Sequence, residues 1–290
     1  MVIAAGAGSD LTIRMVADKM SPELKRNMVI ENRPGASGAI AADIVAKAAP
    51  DGYTLLVGTS STMIMLPAVN PRLSYDPVRD FTAIGQMTQG NVLIVVRSSL
   101  PVYSLADLIK HAKANPGKLS YGTAGVGTTT HLAAEWLSLE TGIEMLHVPY
   151  KSMPAASSDL VTDRVDMVFD NVAPALISIK TVKARPIVIA SKNRAAALSD
   201  TPTTMESGYP WLEIGTWSGL FAPKGTPKPI VDQLNGELKR ILAMPEIIEG
   251  LRKIGNEINY NTPEQLSAYT KDEIDKWRRV VKSRNLKFDD

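Results

Sequence analysis

The chain has 290 residues, 44% hydrophobic and 21% charged, the balance of a water-soluble globular protein with room for two domains of about 100–200 residues each. A formal net charge of +2, without any block of like charge, argues against nucleic acid as a partner. No apolar run reaches the roughly 18 residues of a membrane span, and zero cysteines exclude disulfides, thiolate nucleophiles and cysteine-ligated metals.

Val2, Ile3, Ala4 and Ala5 directly after Met1 read as the end of a strand with no basic segment before it, so a leader and the start of that strand are expected upstream. Short apolar runs then alternate with helical periodicity. A helix is expected over 10–20, a strand over 28–31, a helix over 37–48, a strand over 53–58 and a helix from Ser60. A second series begins with a helix over 104–114, capped by Ser104, then a strand over 119–122 and a helix over 128–141. It continues with strands over 147–150, 167–169 and 187–190 alternating with helices over 155–162 and 173–180. This β-α alternation predicts parallel sheets covered by helices. The β-rich runs 91–97 and 215–222 flank the second series and read as crossovers that form a hinge. They divide the chain into a first lobe of 1–95 with 221–290 and a second of 96–220. The chain from Pro227 onward is mainly helical, with prolines at helix starts.

Chemistry concentrates in loops between strands and helices. At Gly6-Ala7-Gly8-Ser9-Asp10 small residues permit a sharp turn and expose N–H groups at a helix start, where an anion is held by oriented dipoles. Ser9 or Asp10 could instead simply cap that helix. The segment imitates a dinucleotide fingerprint, with Glu31 at the expected spacing of ~20 residues, but Leu11 stands where the third glycine belongs. No nicotinamide cofactor is therefore expected. The stronger candidate is Ala124-Gly125-Val126-Gly127-Thr128-Thr129-Thr130-His131, which reads either as a cup of free backbone N–H groups ringed by hydroxyls, suited to a carboxylate or phosphate, or as a well-capped helix with threonines in its first turn. No lysine follows, so it is not a nucleotide-binding P-loop. Ser60, Ser61 and Thr62 form a polar strand end on the same side. Asp170 at the end of another strand suits either a ligand hydroxyl or a helix cap, and Tyr150 and Trp217 suit a pocket wall or the core. His131 reads as structural or ligand-orienting, because His111 and His147 lie at no metal-ligand spacing from it. With no Gly-x-Ser-x-Gly elbow, no His-Glu-x-x-His and no carboxylate pair on one helical face, neither catalysis nor a metal is expected.

A series of ordered motifs spans the chain: Ala5 to Asp10, Val29-Ile30-Glu31-Asn32-Arg33-Pro34-Gly35-Ala36-Ser37-Gly38, Ala49-Pro50-Asp51-Gly52-Tyr53-Thr54-Leu55, Tyr75-Asp76-Pro77-Val78-Arg79-Asp80-Phe81, Gly125 to Ala133, His147-Val148-Pro149-Tyr150-Lys151, and Val165 to Asn171. In these motifs the chain resembles the extracytoplasmic solute-binding receptors of tripartite tricarboxylate transporters, the Bug receptors. The resemblance implies an α/β fold of the two-lobed type II periplasmic-binding-protein (Venus flytrap) kind, each lobe a mostly parallel sheet covered by helices. It implies a periplasmic, monomeric, non-catalytic receptor that closes on a small carboxylate, aliphatic or aromatic, and delivers it to membrane permease subunits. The alternatives are a solute sensor of the same fold acting in signalling and, on the Gly6 to Gly8 loop, an NAD-dependent dehydrogenase. Ligand contacts are then expected from Ala5, Gly8, Ser9, Asp10, Ser60, Thr62, Ala124, Gly125, Gly127, Thr128, Thr129, Thr130, His131, Tyr150 and Asp170. One departure stands out: the family's Tyr-Lys-Gly is here Tyr150-Lys151-Ser152, with Pro154 one place early.

Overall fold

The computed structural model describes residues 1–3, 8–33, 35–181 and 183–283, and these divide into two compact units. Among the described residues, one unit gathers those of 1–89 and 217–283; the other gathers those of 90–216.

The first unit opens with β1 (Val2–Ile3), α1 (Gly8–Leu24), β2 (Glu31–Asn32), α2 (Ala39–Ala46), β3 (Leu56–Thr59) and the short α3 (Leu66–Val69). β1 pairs in parallel with both β2 and β3. A 17-residue strand, β4 (Phe81–Arg97), carries the chain into the second unit. That unit contains α4 (Leu105–Ala114), β5 (Ser120–Thr123), α5 (Thr129–Thr141), β6 (Leu146–Pro149), α6 (Met153–Val161), β7 (Met167–Asn171), α7 (Val172–Lys180) and β8 (Ala184–Ile189). The chain returns along β9 (Gly215–Pro223) and closes the first unit with α8 (Lys228–Leu242), α9 (Pro245–Lys253), β10 (Glu257–Asn261) and α10 (Pro263–Ser283).

In the first unit β9 runs antiparallel to β3 and beside the start of β4, and β10 adds antiparallel to β4. Its core takes Ile13, Val16 and Met20 from one face of α1, Leu55 and Val57 from the β3 region, and Val231, Leu234, Leu238 and Ile241 from α8. The three- and four-residue steps along α8 follow the helical period, and each such side chain contributes about 1.5–3 kcal/mol when fully buried. In the second unit β5 pairs in parallel with β6 and β7, while the end of β4 pairs antiparallel with β7 and β8. Leu93, Val95, Val168, Ala156 and Leu160 pack between this sheet and α6.

Local chemistry sets the boundaries. Ser104 caps α4 by accepting the Asp107 N–H, as its position in the sequence predicts. The helix expected over 37–48 starts only at Ala39, because Gly35 (φ 122), Ala36 (φ 45), Ser37 (φ 52) and Gly38 (φ 98) have left-handed backbone that no α-helix accommodates. The start of β4 and all of β10 went unseen in the sequence: Thr82-Ala83-Ile84-Gly85-Gln86 and Glu257-Ile258-Asn259-Tyr260-Asn261 are too rich in Gly, Gln and Asn to read as strands. Among the described residues no helix is long and apolar enough to cross a membrane.

Candidate functional site

The glycine-threonine loop leads from β5 into α5 of the second unit. Gly125 (φ 119) and Gly127 (φ 73) both occupy left-handed backbone, so the turn depends on residues without a Cβ. Thr128 is the N-cap of α5, in extended conformation with its hydroxyl oxygen accepting the His131 N–H. Thr128, Thr129 and Thr130 are all buried.

The expectation of free N–H groups in this loop meets a different arrangement. Ala124 N–H reaches Thr130 Oγ1 at 3.4 Å, Gly125 N–H reaches Thr123 Oγ1 at 3.2 Å, and Gly127 N–H reaches His131 Nδ1 at 3.1 Å. Thr128 N–H reaches the Gly125 carbonyl at 3.4 Å. Each donor is thus held in place by a hydrogen bond of 3.1–3.4 Å to a neutral partner. An incoming carboxylate offers shorter, charge-assisted bonds of roughly twice the strength. The loop is therefore a preorganised set of donors whose resting partners a ligand can displace. Thr128 Oγ1 also donates to the Gly125 carbonyl at 2.8 Å and lies 3.1 Å from Thr130 Oγ1.

His131 lies under this loop, and His147 lies with it. The two imidazoles stack with centroids 4.0 Å apart and planes 11° apart. Tyr121 also stacks on His147, with centroids 4.9 Å apart, and meets Phe169 edge-on at 5.7 Å. Burial keeps both histidines neutral: His131 is pulled down to about 3, by desolvation first and then by the neighbouring imidazole, and His147 to about 4 by desolvation. In sequence His147 stands at no telling spacing from His131. The signal that finds it is strand pairing, since β5 and β6 run in parallel with Tyr121 opposite His147. Among the described residues no group of three metal-ligating side chains comes together.

Asp170 lies near the end of β7, completely buried. Parallel register places Gly122 opposite Val168, which brings Asp170 to the same sheet edge as Ala124. Its carboxyl accepts the Asn171 N–H at 2.7 Å and the Ser157 hydroxyl at 3.5 Å, and desolvation pushes its pKa up to about 7. Asp170 accepts from the first residue after it rather than from the second or third, so it is not an ordinary helix cap. Tyr150 donates its hydroxyl to Asp159 at 2.9 Å and its N–H to the Thr123 carbonyl at 3.1 Å. Its ring lies against Gly122, where an added Cβ would sit 3.2 Å from Tyr150, Ala156 and Val168 alike. Ser152, where the resembling receptors carry glycine, has extended backbone (φ −161) at the N-cap of α6, a conformation open to any residue. The replacement therefore strains nothing.

The first-unit candidates sit apart from these in sequence and are described within their own unit. Ala5 lies outside the described residues. α1 begins at Gly8, so Ser9 and Asp10 belong to its first turn and do not precede it as caps. Arg14 grips Asp10 through two hydrogen bonds of 2.8 and 3.1 Å, which neutralises the one charge that would compete with an anion at this helix start. Ser60 and Thr62, expected as a polar strand end, are buried to 2% and 1% exposure. Thr62 Oγ1 accepts the Thr59 N–H at 2.9 Å while Thr59 Oγ1 accepts the Thr62 N–H at 3.3 Å, and the Tyr75 hydroxyl caps the Thr62 carbonyl at 2.5 Å. Thr62 closes a turn. Trp217 is core, 5% exposed, with its indole N–H buried and unpaired.

Comparison with known proteins gives this fold a context. The family model described as "Tripartite tricarboxylate transporter family receptor" matches residues 12–286. The solved structure of Rpa4515 from R. palustris with adipate is similar at 34% identity and a TM-score of 0.92, covering 98% of this chain and 96% of that one. The periplasmic binding protein BugD is similar at 34% identity and TM-score 0.92, with 99% and 97% covered. MatC from Rhodopseudomonas palustris with bound malate is similar at 32% identity and TM-score 0.91, with 97% of each chain covered.

Proposed function

This chain belongs to the tripartite tricarboxylate transporter family of receptors, and from that premise we propose that it is a periplasmic receptor for a small aliphatic dicarboxylate, which it hands to a membrane permease. The observation that carries the proposal is the loop from Ala124 to Thr130, where N–H groups and hydroxyls lie together without a charged side chain of the loop and rest on hydrogen bonds to neutral partners. Such a set recognises a carboxylate group, and the adipate and malate bound by two similar proteins support the dicarboxylate class. On this reading β4 and β9, which carry the chain from one unit to the other, supply the hinge for closure.

The role is binding rather than catalysis. Thr123 Oγ1 lies 2.7 Å from His147 Nε2, the spacing of a hydroxyl beside a base, yet Thr123 has no exposed surface and its oxygen is already engaged by the Gly125 N–H. That pair serves the loop.

Thermal shift followed by calorimetry against a panel of malate, adipate, succinate, an aromatic monocarboxylate and NAD tests the reading. A shift with one or more dicarboxylates is expected. A shift with NAD alone, or none with any acid, refutes it.

A further inference from the structure

We infer that the stacked imidazoles of His131 and His147 are positioning residues, each fixing one of the two left-handed glycines of the carboxylate loop through a particular ring nitrogen. The inference rests on the proposed role of that loop and extends it to residues that do not themselves touch a ligand.

Two sets of contacts carry it, each ending in the hydrogen bond of a loop glycine N–H. In the first, Tyr121 donates its hydroxyl to Glu135 Oε1 at 2.5 Å, and the same oxygen lies 3.8 Å from His131 Nε2. The far side of that ring, Nδ1, accepts the Gly127 N–H at 3.1 Å. An acceptor nitrogen carries no proton, so His131 holds its proton on Nε2, facing Glu135. In the second set His147 Nε2 meets Thr123 Oγ1 at 2.7 Å, and that oxygen accepts the Gly125 N–H at 3.2 Å. The two sets reach Gly127 (φ 73) and Gly125 (φ 119) respectively, the two peptides whose orientation aims the donors of the loop. The stack joins them: His147 packs against both His131 at 4.0 Å and Tyr121 at 4.9 Å, so the two imidazoles hold each other in place. A histidine pair present only to fill space needs no such nitrogen-specific bonding, and a stacked face-to-face pair is not arranged to share a metal ion.

The two histidines use different nitrogens, which gives a crossed test. Asparagine places an oxygen where Nδ1 stands, and glutamine reaches the position of Nε2. His131→Asn is therefore expected to keep the acceptor for Gly127, with affinity for malate or adipate, whichever wild type binds, within about threefold of wild type. His131→Gln loses it, at a cost of roughly tenfold, the size of one hydrogen bond. At position 147 the order reverses: His147→Gln retains binding and His147→Asn loses it. The ligand-free wild-type protein supplies a measurement that depends on neither variant folding nor ligand. Imidazole nitrogen NMR is expected to show His131 Nδ1 unprotonated and coupled across the hydrogen bond to the Gly127 amide. A protonated Nδ1 overturns the inference, as does equal affinity for the asparagine and glutamine variants at both positions. If wild type binds no acid at all, the proposed function fails, and the NMR result still decides the assignment of the nitrogens.

Discussion

His131 and His147 stack face to face at 4.0 Å, and their burial ties the stability of the protein to pH. In the unfolded chain each takes up a proton near pH 6.5, whereas in the fold they resist until about 3 and about 4. A base whose pKa is lowered by folding contributes stability that is fully present above the unfolded value and lost as pH falls toward the folded one. Between pH 6.5 and 4 each histidine is expected to remove about 1.4 kcal/mol of stability per pH unit. Urea unfolding across that range should show a shallower acid slope for His147→Gln than for wild type. Equal slopes would mean that His147 is already charged in the folded protein.

Asp170 works in the opposite direction. Its carboxyl is fully buried and titrates at about 7, against about 3.9 for an unfolded aspartate. The bound proton favours the fold below about pH 4, and this advantage is lost as pH rises through 7. Asp170→Asn keeps the shape and never ionises. Relative to wild type it should gain about 2.7 kcal/mol of stability between pH 5 and 8.5, read from denaturation midpoints at the two pH values. A constant difference would show that Asp170 is ionised throughout.

Thr128 combines two tasks, capping α5 through the His131 N–H and donating to the Gly125 carbonyl at 2.8 Å. Thr128→Val preserves volume and removes both. The loss expected is about 1–2 kcal/mol of stability, together with a dicarboxylate affinity weakened roughly three- to tenfold. Calorimetry on the folded variant separates the two effects, and unchanged affinity would place the binding cup elsewhere.

Two glycines should respond in opposite senses to alanine. At Gly122 the new methyl meets Tyr150, Ala156 and Val168 at 3.2 Å on three sides, so overpacking of about 1–3 kcal/mol is expected, with Tyr150 pushed off Asp159. At Gly236, exposed within α8, nothing lies within 4 Å of the added Cβ, and the helix should gain about 0.5–1 kcal/mol. Thermal melts of the two variants check both signs.

The repetition of strand, glycine-rich turn and helix was legible because its rules are local. Ser104 announces α4, and Thr128 announces α5 by standing directly before its apolar run. Gly125 and Gly127 announce a backbone that other residues avoid. Ser9 and Asp10 were legible as belonging to a helix start but not as residues inside its first turn, since the cap position depends on where the preceding chain leaves the strand. Thr62 showed its polar chemistry without revealing that Thr59 and Tyr75 would consume it.

The amino-acid sequence by itself determined the α/β architecture and the loop from Ala124 to Thr130, because periodicity, capping and left-handed glycines act over a few neighbouring residues. Only the tertiary structure decided that His147 lies on His131, that the Gly127 N–H is parked on an imidazole, and that Asp170 is buried enough to hold a proton near neutrality. Strand pairing joins residues that no sequence spacing connects, and the electrostatic character of a buried group is set by everything packed around it.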